Sequence, residues 1–170
     1  MSVPGVSLPR LLVCVAVAAL VFIAACGDDS GSSGEGKSSR ESDVYAAIVV
    51  AVAADEPHDE ETKPVVYVSP FPNDKPIPLD VQVSVVDAVV DDAVVRFVDK
   101  EEQAINKNSD NQAVIDDGVL LRVGPVPEQG TTVTVPAELY HDENTIMPTE
   151  YKVTEGPDGW VATQQSTASG

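Results

Sequence analysis

The chain has 170 residues, with ten Lys or Arg against 28 Asp or Glu and a formal net charge of −18. So acidic a surface repels nucleic-acid phosphates and anionic lipid headgroups, which excludes both as expected partners. There are only two cysteines, Cys14 and Cys26, and the length allows one domain of ordinary size plus tails.

Near the amino terminus, Arg10 precedes an uncharged apolar run over residues 11–25 that stops at small residues and Cys26. One cation, a short apolar stretch and small residues at the cut form the layout of a secretory signal. A permanent membrane crossing needs about 18–20 apolar residues, and this run is shorter. The segment Ile23-Ala24-Ala25-Cys26, followed by Gly27, resembles the lipobox of bacterial lipoproteins. In that family the cysteine sulfur receives a diacylglycerol, a signal peptidase cuts before the cysteine, and the new amino terminus is often acylated. The resemblance implies that residues 1–25 are a signal peptide and that Cys26 is the lipid-attachment residue. It also implies a protein held by its acyl chains on the outer face of the cell membrane. The Val/Ala/Asp/Gly-rich remainder is similar to small actinobacterial lipoproteins, and no chemistry comes with that likeness. Losing residues 1–25 removes Arg10 and no acid, leaving nine cations against 28 acids, a net of −19. With Cys14 gone and Cys26 acylated, the folded part has no thiol, so disulfides, zinc-thiolate sites and cysteine nucleophiles are excluded.

Residues 26–41 read as a flexible Gly/Ser tether with a root-mean-square reach of about 20 Å. Within them Gly31-Ser32-Ser33-Gly34-Glu35-Gly36-Lys37-Ser38 matches the phosphate-loop pattern G-x-x-x-x-G-K-S. That chemistry needs a strand entering the loop and a helix starting at the Lys-Ser, so that backbone amides cradle the phosphates. Here residues 26–30 separate the loop from the apolar run and more tether follows, so a linker is expected. Gly27-Asp28-Asp29-Ser30-Gly31 brushes a serine-protease motif, with no core to position it.

Ser42 or Asp43 suits the cap of a helix starting near Val44. Tyr45, Ile48, Val49 and Val52 share one helical face, and the alanines around them make the other faces apolar, which predicts a helix buried on most sides. A buried strand over 48–52 is the competing reading. Pro57 ends the segment, and Asp55 and Glu56 sit at the negative helix end, a placement the sequence does not explain. His58-Asp59-Glu60 in the acidic loop that follows is repeated as His141-Asp142-Glu143. Two His with neighbouring carboxylates have the donor types for zinc, but nothing in the spacing joins them, and solvated loops are the expectation.

Residues 64–69 read as a strand. Pro70, Pro72, Pro76 and Pro78 then impose an extended loop, with Phe71 and Ile77 available to pack back on the domain. Residues 79–85 alternate like a strand, whereas Val86, Val89, Val90 and Val94 fit a helix; a helix over about 80–90, with Asp80 as cap, followed by a strand over 94–98, is expected. Residues 106–117 partly mimic a calcium loop, but begin with Asn106, carry Asn111 where a glycine belongs and end in Asp117, so an ordinary loop is expected. Strands follow over 119–123, 131–135 and 137–140, then 150–154 and 160–163 about the turn Gly156-Pro157-Asp158-Gly159. Trp160 reads as a core anchor closing that last hairpin.

The expected fold class is α+β, with one or two N-terminal helices packed on a mainly antiparallel sheet from the C-terminal half. A curved-sheet cone of the nuclear-transport-factor-like or cystatin-like kind suits that order as an analogy of architecture. The division is 1–25 signal peptide, 26–41 tether, 42–163 domain and 164–170 tail. The expected function is a non-catalytic, lipid-anchored extracytoplasmic module that binds a protein, an envelope polymer or a small ligand, with no cofactor or metal. The alternative is an extracytoplasmic hydrolase or metal-binding protein using acidic residues such as Glu138, Asp142 or Glu143. No nucleophile–base pair stands at recognisable spacing, and paired carboxylates carry little information in so acidic a chain.

Overall fold

The structure, a computed structural model, describes residues 35–58, 62–72 and 74–165. Cys26, the apolar run before it, residues 31–34 of the phosphate-loop match, Asp59, Glu60 and the last five residues lie outside the described residues. Two helices, α1 (Glu35–Asp55) and α2 (Leu79–Ala88), accompany six strands: β1 (Val65–Pro70), β2 (Val94–Phe97), β3 (Val119–Val123), β4 (Thr132–Asp142), β5 (Thr145–Gly156) and β6 (Gly159–Gln165). The strands form one sheet in the order β2-β1-β3-β4-β5-β6. None of the described helices is long and apolar enough to cross a membrane.

The sheet is mixed rather than mainly antiparallel, and one of its six strands, β1, comes from the first half of the chain. β1 runs parallel to both β2 and β3, whereas β3 to β6 form the expected antiparallel meander. Parallel neighbours cannot be joined by a tight turn. The link from β1 to β2 therefore runs through α2 on one face of the sheet, and the link from β2 to β3 runs through residues 98–118 on the other. The side-chain packing records both routes. Val66 and Val68 of β1 pack with Val81, Val85 and Val89 of α2 and with α1, while Tyr67 packs with Ala104 and Val114 of the return segment. In β1 and β3 consecutive residues are apolar because both faces of these central strands are covered.

Helix α1 starts at Glu35, about nine residues before the expected start, so the last part of the predicted tether is helical. Gly36, Ser38 and Ser39 are poor helix formers, and Arg40, in the added turns, is tied to the rest of the domain. The Arg40 guanidinium lies 4.7 Å from the Trp160 ring centroid, and its Nη2 donates to the Gly130 carbonyl at 2.5 Å. Trp160 is partly buried against the main core, as the reading of it as an anchor requires. From Ser42 onward the helix is buried on most sides, with Asp43, Val50 and Ala54 among its few exposed positions. Helix α2 is capped at Pro78 without a side-chain bond, and Asp80 sits in its first turn instead of at its cap. Its valines are poor helix formers, but burial of Val81, Val85 and Val89 outweighs that preference.

Pro136 does not divide β4, which runs through it as one strand. The Pro136 carbonyl accepts from Gly124 N at 2.9 Å. In an antiparallel strand a residue's N and O point to the same neighbour, so the imide nitrogen faces the end of β3 and no bond to β5 is lost. The ring fills the space beside Gly124, where a Cβ would lie 2.7 Å from Pro136 Cγ. Gly124→Ala should therefore cost about 1–3 kcal/mol by overpacking, read as a lower urea midpoint. Adding Pro136→Ala should recover part of that loss; strictly additive losses would show that the ring is not the obstacle.

Candidate functional site

At the carboxyl ends of β1 and β2 the chain leaves in two directions. The proline-rich segment after β1 heads for α2, and the segment after β2 crosses to the far face. Between them lies a cleft of about 660 Å³, walled by residues 68–72, 74, 76–77 and 97–102 together with Gln82. Crevices at the carboxyl ends of parallel strands are where sheets of this kind present ligand groups. The proline-rich segment is held in place at both ends. Phe71 N donates to the Val123 carbonyl, Asp74 N to the Phe71 carbonyl, and Gln82 Nε2 to the Ile77 carbonyl.

Ser69 lies at the floor. It is 2% exposed, and among the described residues its Oγ has no hydrogen-bond partner. On the parallel neighbour its register partner is Arg122. Arg122 is a cation in an otherwise apolar strand, and its side chain is only 13% exposed. Its Nε and Nη2 form a fork on the Glu101 carboxylate at 2.9 and 2.7 Å, while Nη1 donates to Glu138. Its guanidinium carbon stands 5.2 Å from the Tyr140 ring centroid. Glu101 thus shapes the cleft wall and neutralises Arg122 at once. The remaining charges on the wall are Asp74, Asp99, Lys100 and Glu102, around the rings of Phe71 and Phe97.

Further along the same face, Arg96 is met by Asp116. Arg96 donates to the Tyr67 hydroxyl at 2.7 Å, and that hydroxyl donates to Asp116 at 2.9 Å. The Tyr67 and Arg96 donors hold the Asp116 carboxyl below the usual aspartate range. Asp116 has a φ of 57°, a left-handed conformation that aspartate tolerates.

The sequence-predicted site residues are scattered. His58 Nδ1 lies 2.8 Å from the Glu56 carbonyl, and His141 Nε2 lies 3.7 Å from the Glu56 carboxylate. Asp142 accepts from Asn144 N and Asn111 Nδ2, Glu143 accepts from Gln112, and Glu138 is bound to Arg122. Asn106 accepts from Asn108 N within its own loop. Among the described residues no group of three His, Cys, Asp or Glu is placed to hold a metal ion.

Glu56 has a role that its position at the helix end did not reveal: a histidine from the β4 bulge faces it. Tyr151, whose hydroxyl is buried without a hydrogen-bond partner among the described residues, is pushed up to about 12 by burial, with Asp55 and Glu56 adding to the shift. Burial likewise raises the Glu56 carboxyl above the usual range, with His141 opposing the shift. Sequence reading passed over Ser69, Glu101 and Arg122. The available signal was Arg122 itself, since a lone charge in a buried strand needs a partner elsewhere.

Arg122→Ala leaves Glu101 and Glu138 without their shared cation and should cost about 3 kcal/mol in urea unfolding. Arg122→Lys should recover only part, because an ammonium cannot make the fork. For Glu56, a pKa raised in the folded state means the native protein holds the proton more tightly than the unfolded chain. Stability therefore falls as pH rises from the ordinary glutamate value through the raised one. Glu56→Gln should flatten that segment of a melting-temperature profile against pH. Against this geometry, neither a family model nor a curated protein nor a solved structure matches the chain.

Proposed function

We propose that this protein is a non-catalytic binding module, held by acyl chains on Cys26 at the outer face of the cell membrane, whose cleft receives an extracellular ligand. Support for the anchor is the run over 11–25 and the lipobox resemblance of Ile23-Ala24-Ala25-Cys26. The observation that carries the binding role is the buried Ser69 Oγ, without a hydrogen-bond partner among the described residues, at the floor of a 660 Å³ cleft. Leaving such a group unsatisfied costs about 1–3 kcal/mol, and a polar ligand group recovers that cost once the side chains covering the Oγ move aside. Glu101 beside it is engaged with Arg122, and among the described residues no base is bonded to the hydroxyl. That arrangement supports reading the cleft as a site that orients a ligand. Its size suits a small molecule or one terminal group of a larger polymer.

Ser69→Ala should raise the stability of the free protein by about 1 kcal/mol while weakening ligand binding. The binding arm is read by backbone-amide shifts on titration with hydroxyl-, amine- and amide-bearing fragments, expected over residues 68–77 and 97–102 and reduced in Ser69→Ala. Shifts that map elsewhere, or a variant less stable than the parent, would overturn the cleft reading. For the anchor, Cys26→Ser should move the protein from the detergent phase to the aqueous phase, and unchanged partitioning would overturn it.

A further inference from the structure

Helix α2 buries Val81, Val85 and Val89 and leaves a second apolar row in solvent. Leu79, Val83 and Val86 of the helix and Val90 of the following turn are 74, 52, 38 and 57% exposed. Their spacing of four, three and four residues places them within an arc of about 60° on a helix turning about 100° per residue. Three of them, with Gln82, Asp87 and Phe97, line a hollow of about 280 Å³, a size that takes one aliphatic side chain. This is the arrangement by which a groove accepts an amphipathic helix through anchors at helical spacing.

The charge around the row selects the occupant. Asp80 and Asp87 run along one flank, and Asp91 and Asp92 follow the helix end, where the helix dipole is already negative. The nearby Lys63 is held by the Val90 carbonyl at 2.5 Å and stands 4.0 Å from Asp91. A second copy of this chain would bring the same carboxylates against them under a net charge of −18 per molecule, and an anionic lipid surface would be repelled in the same way. We propose that the α2 row is the docking site for a cationic amphipathic helix of another protein, its leucine-sized anchors in the row and hollow and its Lys or Arg side chains along the acidic flank. The row spans about 16 Å, so about three turns of partner helix cover it. The hollow adjoins the cleft through Gln82 and Phe97, which line both, but Ser69 is not part of it.

The test uses the full chain in phosphatidylcholine nanodiscs, with empty discs as reference, titrated with a synthetic three-turn peptide bearing leucines at heptad spacing and lysines beside them. Binding should shift α2 amides and weaken with salt. Val83→Asp and the nearly isosteric Val83→Thr should each reduce affinity, the first by about tenfold or more. Ser84→Asp adds the same charge off the row and should leave affinity unchanged or tighten it. Tighter binding to Val83→Asp, or equal binding of a peptide with serines for leucines, would reduce the contact to bulk electrostatics and overturn the proposal. A dimer in sedimentation that Val83→Asp dissolves would overturn it in favour of self-association.

Discussion

Strand β3 is covered on both sides and carries one charge, and the fork that neutralises Arg122 is the constraint around which the sheet's second face is built. Val119, Leu121 and Val123 face the helices, so Leu120 and Arg122 must face the other way. A guanidinium there needs carboxylates fixed in a plane, and they come from two elements: Glu138 on the neighbouring strand and Glu101 from the segment that crosses back from β2. The crossing segment is thereby held against the sheet, with Ala104 and Val114 over Tyr67 and Leu120. Without that cover the apolar second face of β1 and β3 would lie open to water.

The same pairing makes the cleft. Glu101 ends the crossing segment's approach to the sheet just beyond the carboxyl ends of β1 and β2, and the proline-rich segment closes the other wall. Prolines suit that position because a wall already extended loses little conformational freedom on folding or on binding. Ser69 then falls where the strand passes from packed sheet to open cleft, and its hydroxyl is buried without a hydrogen-bond partner among the described residues.

Net charge and local packing divide the rest of the surface. The acidic excess opposes contact with phosphates and with a second copy electrostatically, and the apolar row along α2 lies exposed beside acidic residues. The strand edges are managed differently. β2 is short, four residues with an arginine, and β6 is polar over much of its length, both of which discourage edge-to-edge pairing.

Residues adjacent in sequence determined much that is local. The apolar run over 119–123, the alternation over 131–135, the Gly156-Pro157-Asp158-Gly159 turn, the α2 periodicity and the burial of the alanine-rich helix all follow from side-chain pattern and turn chemistry. The lipobox resemblance also rests on neighbouring residues alone. What only the tertiary structure decided involves partners far apart in the chain. The parallel placement of β1 and β2 depends on crossovers whose faces no local period encodes. The extra turns of α1 carry Arg40, which meets Trp160, 120 positions later. Glu56 at a negative helix end made no local sense until His141 came to face it, and the fork at Arg122 joins residues 21 and 16 positions away. A cleft has no sequence period, since it is the space left where two segments diverge, and by local pattern its floor residue Ser69 is one more position in a strand.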